Sequence, residues 1–232
     1  MTNNILYYSV FISLLVQFST LLLDIYAVNL EYKPQDVILQ GLIGIEIFVQ
    51  FIEVIFYLWL YNNFNTATNI TSKRYYDWVL TTPTMLFVLI VYLDYMNNKQ
   101  IVAKKDESAM DVLYETFNRN SENWFYIASM NFMMLFFGYL GAKGMINKYI
   151  TTTIGFGFFG TYFYFIYENY AKYSSNSRIL FYLFTALWSL YGINALQPYI
   201  LKNIHYNILD IFSKNFFGIY LAIIAILKNS QI

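Results

Sequence analysis

The sequence predicts an all-α membrane protein, a single seven-transmembrane-helix bundle over residues 1–232. Three observations predict it. Of the 232 residues, 58% are hydrophobic and only 12% charged, about half the charge of an ordinary soluble domain. Seven apolar runs each reach the ~20 residues that a helix needs to cross a bilayer core. The connections between them are short, with one solvated exception. The runs are too long for strands, and they lack the alternation of about ten residues that marks a membrane barrel.

The expected spans are 5–29, 36–62, 70–96, 122–141, 146–171, 177–201 and 203–227. At 100° per residue, the first span places Ser9, Ser13, Gln17, Thr20 and Asp24 within about 80° of one another. The second places Glu46, Gln50, Glu53 and Tyr57 within about 60°, and the seventh does the same for Asn203, Asn207, Asp210 and Lys214. Residues 97–121, after the third span, hold Lys99, Lys104, Lys105, Asp106, Glu107 and Arg119. This is the solvated connection, and Met110–Phe117 within it reads as a short amphipathic helix. No second domain and no fixed-period repeat is visible.

Basic residues favour the cytoplasmic side. An outside N-terminus puts Lys33, Lys99, Lys104, Lys105, Arg119, Lys172, Arg178 and Lys228 inside, against Lys73, Lys143, Lys148 and Lys202 outside. Eight against four predicts N-out and C-in. The opening Met1-Thr2-Asn3-Asn4 has no basic residue, so the first span is expected to stay as an anchor rather than be cleaved.

Composition also excludes. Lys+Arg and Asp+Glu balance at 14 each, so the basic footprint of a nucleic-acid binder is missing. With no cysteine there is no disulfide framework, thiolate metal site or thiol nucleophile. No spacing supports a metal site, and nothing reads as an enzyme.

Ionisable groups inside spans are costly and usually face the bundle interior. Arg74 and Asp77 on the third span and Asp210 and Lys214 on the seventh lie at similar depth, since both spans start on the same side. Two cations and two anions sum to zero. One reading is a structural ion-pair network. The other is chemical: an amine in a dry pocket condenses with an aldehyde, and a carboxylate one turn away serves as counterion.

The residues around these charges carry a resemblance. Arg74-Tyr75-Tyr76-Asp77-Trp78-Val79-Leu80-Thr81-Thr82-Pro83 resembles the third-helix signature of microbial (type 1) rhodopsins. Asp210-x-x-x-Lys214 is similar to the family's retinal-attachment segment, and Leu187-Trp188-Ser189-Leu190-Tyr191 to its retinal-packing motif on the sixth helix. All three fall in the family's order on the matching spans. The resemblance implies all-trans retinal in the core, bound covalently to Lys214 as a protonated Schiff base. It implies Asp77 as primary counterion and proton acceptor, Asp210 as second counterion, Arg74 as the cation between them, and Thr81 as the acceptor's hydrogen-bond partner. Trp78, Trp188 and Tyr191 match the aromatic walls, and Thr82 faces the fourth span. There, by family spacing, Asn131 takes the place of an aspartate, while Met134 and Gly138 fall near the ionone ring.

Three positions depart from the family pattern. Gly192 replaces a proline, Ala195 replaces a second tryptophan, and Val88 stands where outward pumps hold an internal proton donor. The next carboxylate, Asp94, lies ~9 Å further along the helix, at the cytoplasmic rim. Two glutamates on the second span resemble channelrhodopsins, and Asn215 after the attachment lysine, with the Ile-, Asn-, Lys- and Tyr-rich composition, resembles the rhodopsins of large DNA viruses, whose first group is channel-like. The polar stripes therefore read as an ion pathway: Ser13, Gln17, Glu46, Gln50, Glu53, Asn207 and Asn215. Interhelical hydrogen bonding is the other reading, and it is favoured for the first span alone. Carboxylates cost more to bury, which favours a path at Glu46 and Glu53.

The leading expectation is a light-gated cation channel, a photoreceptor passing protons, sodium or calcium. The alternatives are an outward proton pump, and a photosensor signalling through a partner docked on residues 97–121 or on the face of the sixth and seventh spans. The bilayer is the expected surrounding, a host-cell membrane if the protein is viral, and a homo-oligomer is compatible with it.

Overall fold

The computed structural model describes residues 2–97, 103–104 and 107–230, with side chains from Asn4 onward. Seven helices run alternately up and down. They are α1 (Thr2–Val28), α2 (Val37–Asn62), α3 (Ile70–Met96) and α4 (Ala109–Ala142). Then come α5 (Lys148–Ile166, continued by a π turn, Tyr167–Ala171) and α6 (Ser175–Asn194). The last, α7 (Tyr199–Asn229), is interrupted by a π turn at Ile211–Asn215.

The helices that begin at one end of the bundle are α1, α3, α5 and α7; this is called the near end. It is tied by Ile70 N–H donating to Tyr199 Oη at 2.9 Å and by Lys148 Nζ donating to the Leu196 carbonyl at 2.7 Å. The far end is tied by the Lys228–Asp36 ion pair at 2.7 Å and by Asn229 donating to the Glu31 carbonyl at 2.9 Å.

Local chemistry sets the boundaries. Asn69, the one non-glycine residue with positive φ among those described, takes the left-handed conformation and its side chain accepts from Ser72 N–H at 3.2 Å, opening α3. Ser108 and Asp111 form a reciprocal capping box at the start of α4. The fourth helix differs from its expected bounds. In place of a short helix near 110–117 and a span from 122, one 34-residue helix begins at Ala109. No glycine or proline interrupts 109–137, and the box satisfies the first amides, so the polar segment joins the span. Losing such a cap costs about 0.5–2 kcal/mol. Ser108→Ala is therefore expected to speed hydrogen exchange at the Ala109–Val112 amides, with those beyond Asn123 unchanged. The sixth helix ends at Asn194 rather than near 201, because Pro198 blocks continuation and instead opens α7. Lys99, Lys105 and Asp106 lie outside the described residues, whereas Lys104 pairs with Glu107 and Glu115 at 3.5 and 3.4 Å.

Helix α3 is the central element: every residue from Met85 to Asp94 is buried. Its middle is fixed to α4 by Trp124 Nε1 donating to the Pro83 carbonyl at 3.1 Å. Large apolar side chains such as Leu15, Phe51, Phe132, Leu183, Phe212 and Ile223 are exposed around the bundle. In water such coverage would drive association; around a membrane bundle it is the lipid-facing surface. Among the described residues, five helices are long and apolar enough to cross a membrane on their own composition: α1, α2, α3, α4 and α7. The other two, α5 and α6, are rich in Tyr, Thr and Ser, and pack among them. The interior is divided. Apolar side chains fill the space among α3, α4, α5 and α6, while buried Ser, Gln, Asn, Asp and Glu line the seam between α1, α2 and α7.

Candidate functional site

Where the two interiors meet stands Lys214, buried on the π turn of α7. Such wide turns loosen backbone hydrogen bonding and recur at functional sites. Here the loosened backbone is served by side chains: Asn215 Nδ2 donates to the Asp210 carbonyl at 3.3 Å, and Gln50 Nε2 to the Lys214 carbonyl at 3.5 Å. The Lys214 ammonium donates to Asp77 Oδ2 at 2.9 Å and also to Glu53 Oε1. Thr81 Oγ1 lies 3.3 Å from Asp77 Oδ1 and Gln17 Nε2 donates to Glu53 Oε2 at 3.4 Å, so both carboxylates are held from behind.

One turn toward the near end lies a second charged cluster. Arg74 is 0% exposed. It donates to Asp210 Oδ2 at 2.9 Å, to Tyr57 Oη at 3.2 Å, to Asn203 Oδ1 at 3.4 Å and to Asn207 Oδ1. Its guanidinium lies 5.5–5.8 Å from the ring centroids of Phe56, Tyr57 and Tyr206. Asp210 also accepts from the hydroxyls of Tyr57 at 2.6 Å and Tyr191 at 2.7 Å. The four charges read from the sequence do come together, but with different partners. Glu53 is the second carboxylate on Lys214, while Asp210 is spent on Arg74 and two tyrosines. Asp210 and Lys214 stack one turn apart along α7, so Asp210 faces the level of Arg74, and α2 supplies Glu53 across the seam.

On the other side of Lys214 opens an apolar cavity between α3, α4, α5, α6 and α7. Trp78, Thr82, Met134, Gly138, Trp188 and Tyr191 line it, together with Tyr75, Phe156, Phe159, Tyr206 and Ser213. Its far wall is built by small residues. A Cβ on Gly138 would come within 2.6 Å of Tyr75 Oη, and one on Gly192 within 2.6 Å of the Phe156 ring. Asn131 stands behind the wall rather than in it: its Nδ2 donates to Thr82 Oγ1 at 2.7 Å, and Thr82 donates to the Trp78 carbonyl at 2.8 Å. The four extra aromatic lining residues are not singled out by type, because 22% of the chain is aromatic. Tyr206, one helical turn before Asp210, is the one that spacing could have found.

All seven stripe residues are buried. Ser13 Oγ donates to the Asn207 carbonyl at 3.0 Å and Asn207 Nδ2 to Ser9 Oγ at 2.8 Å. Gln17 and Gln50 stand beside Glu53 and Lys214, Asn215 closes the π turn, and Glu46 lies beyond them near Asp24. Val88 is packed in apolar core. Asp94 is 3% exposed rather than at an open rim, because the lengthened α4 and the π turn of α5 close over that end of α3, where Tyr170 Oη donates to Asn120 Oδ1 at 3.0 Å.

Comparison with protein families matches residues 4–227 to the bacteriorhodopsin-like protein family. Comparison with curated proteins gives no match. Among solved structures, the chain is similar to viral rhodopsin OLPVRII, with 27% identity, a TM-score of 0.80, and coverage of 94% of this chain and 95% of that one. It shares its fold with the thermophilic rhodopsin of Rubrobacter xylanophilus (18% identity, TM-score 0.73, coverage 97% and 98%). The same holds for bromide-bound halorhodopsin of Halobacterium salinarum (16% identity, TM-score 0.70, coverage 95% and 93%).

Proposed function

Because the chain belongs to the bacteriorhodopsin-like family, we propose that it is a retinal-binding, light-gated cation channel, with α1 entering from outside and the C-terminus in the cytoplasm. The observation that carries this reading is the place of Lys214. Its amine stands between an apolar cavity walled by Trp78 and Trp188 and a seam of buried polar groups between α1, α2 and α7.

The cavity suits a long polyene. Its walls are aromatic, its end is opened by Gly138, Gly192 and Ala195, and the indole N–H groups of Trp78 and Trp188 make no hydrogen bond among the described residues. Retinal bound through Lys214 Nζ supplies visible absorption and a light-driven change of shape at that nitrogen. The chain's own groups do the rest. Asp77 Oδ2 and Glu53 Oε1 hold the positive charge in the dark, and Asp77, backed by Thr81, takes the proton. Arg74 pairs with Asp210 and closes the seam toward the near end through Asn203, Asn207 and Tyr57. Separation of Lys214 from Glu53 frees that carboxylate to face the seam, where Gln17, Gln50 and Glu46 continue the path. Carboxylates lining a path accessible to water are one way to pass cations.

Val88 disfavours the pump reading, since an inward relay along α3 has no proton-carrying group there. Voltage clamp under illumination is expected to give photocurrents whose sign reverses with voltage. Current of one sign at every voltage would replace the channel by a pump, and no current at all by a sensor. In Glu53→Gln the current at a fixed voltage is expected to fall about tenfold, the equivalent of ~1.4 kcal/mol.

A further inference from the structure

The polar seam lies inside the bundle; a second opening lies on its side. Between α2 and α4 a cleft of about 1050 Å³ reaches the surface of α3. Two glycines of α2 shape it. A Cβ on Gly41 would come within 3.2 Å of the Ala109 carbonyl oxygen and 3.4 Å of Leu113 Cβ, so the two helices touch there. One turn deeper, a Cβ on Gly44 would meet nothing within 4 Å among the described residues. The helices thus part below Gly41, and Thr84 and Phe87 of α3 line the gap.

Three properties say what fills this gap in a membrane. It opens on the lipid-facing surface, where Phe48 and Met110 in its lining are 51% and 72% exposed. The lining covers 37–48 of α2 and 110–124 of α4, ~16 and ~21 Å of helix measured from the far end. Half of a bilayer core is ~15 Å, so the cleft has about the depth of one leaflet. Its chemistry is divided like that of an amphiphile. Glu31, Gln40, Glu107 and Ser108 stand at the far-end rim, while Ile45, Phe48, Leu113, Phe117 and Trp124 line the deeper part. The hydroxyl of Thr84 is already committed, donating to the Leu80 carbonyl at 2.7 Å. A helix from another chain, ~10–12 Å across with its side chains, is too broad for a gap whose walls touch one turn away. An acyl chain is thin enough.

The rim selects the headgroup. Glu31 is exposed and makes no ion pair among the described residues, while Glu107 shares Lys104 with Glu115 at 3.5 and 3.4 Å. Two carboxylates at the rim repel a headgroup of net negative charge. A zwitterionic headgroup sets its ammonium on Glu31 and leaves its phosphate to the exposed Lys104.

We propose that the cleft between α2 and α4 binds one phospholipid of the far-end leaflet, its acyl chain along Gly44, Phe87 and Trp124 and its ammonium headgroup at Glu31. The site needs only the membrane bundle, so it stands or falls apart from the channel reading.

The test is tryptophan quenching by phospholipids with brominated acyl chains, on the retinal-loaded protein in phosphatidylglycerol nanodiscs. The difference between wild type and Trp124→Phe isolates the Trp124 signal. Brominated phosphatidylethanolamine is expected to quench it saturably, half-maximally at a mole fraction at least about tenfold below that needed with brominated phosphatidylglycerol. Gly44→Phe fills the gap and should remove the saturable phase; Glu31→Gln should keep it but cut the headgroup preference to about threefold or less. An unchanged visible band reports that each variant folds, and Gly44→Leu is the second, smaller plug. Quenching that rises linearly with mole fraction and equally for both lipids overturns the site, because Trp124 then meets only passing lipid. Saturable quenching that survives both plugs overturns it as well. A preference retained in Glu31→Gln overturns the headgroup assignment. Disulfide-linked dimers of Met110→Cys, in a chain otherwise free of cysteine, would put a second copy over the cleft in place of lipid.

Discussion

Lys214→Ala is expected to abolish the visible absorption band that the wild-type chain acquires with added all-trans retinal, and to lower its stability at the same time. The two effects have different causes. The band requires a covalent link to an amine inside the cavity, and Lys214 is the lysine that lines it. The stability loss follows from Asp77 and Glu53, both buried and both paired with that ammonium. Removing one partner of a buried pair costs about 3–5 kcal/mol, because the remaining charge has no compensation. Lys214→Arg separates them: it keeps a cation between the carboxylates and should recover much of the melting temperature, while still giving no band. Adding Glu53→Gln to Lys214→Ala should also recover stability, by removing one of the two stranded charges. Retinal titration followed by absorbance, with melting of the same samples, reads both. A visible band in Lys214→Ala would move the attachment to another lysine and end the present reading of the cavity.

What could be read from the sequence followed from helical spacing. Asp210 and Lys214 are four residues apart and Arg74 and Asp77 three, so each pair shares a face, and the common starting side of α3 and α7 puts them at one depth. The same arithmetic collected Gln17, Glu46, Gln50 and Glu53 onto buried faces. Spacing does not say which neighbour a face meets. In the structure Glu53 and Asp77 hold the contact with Lys214, and Asp210 holds the contact with Arg74. The π turn at Ile211–Asn215 adds to the difficulty, because one wide turn shifts the register of everything after it. The start of α4 was hidden for another reason. Polarity marks where a helix leaves the membrane, not where it ends, and the capping box at Ser108 carries the helix on. Asp24 was visible as a member of the α1 stripe, but that its oxygens meet no donor among the described residues is a property of the packed helices.

Arg74→Met carries the second large expected effect, and its cause can be tested by compensation. The guanidinium is fully buried and is the sole cation on Asp210 among the described residues. Its removal strands that carboxylate, although the hydroxyls of Tyr57 and Tyr191 still donate to it at 2.6 and 2.7 Å. Each hydrogen bond to a charged acceptor contributes about 1.5–3 kcal/mol net, but both are already made in the wild type, so losing the cation still costs about 3–5 kcal/mol. The single variant is therefore expected to melt well below wild type. Asp210→Asn alone strands the arginine in turn and should also destabilise. The double variant, Arg74→Met with Asp210→Asn, leaves no buried charge in this cluster. Its loss should be clearly smaller than the sum of the two singles, with a coupling energy of about 0.5–3 kcal/mol for residues in one ion-pair network. Additive losses would mean that Arg74 stabilises the bundle by packing under Phe56, Tyr57 and Tyr206 rather than by charge. The closure of the seam toward the near end would then rest on those rings, and photocurrents in the double variant should keep the wild-type dark leak. If charge is what closes it, the double variant, with neither Arg74 nor Asp210, should leak in the dark.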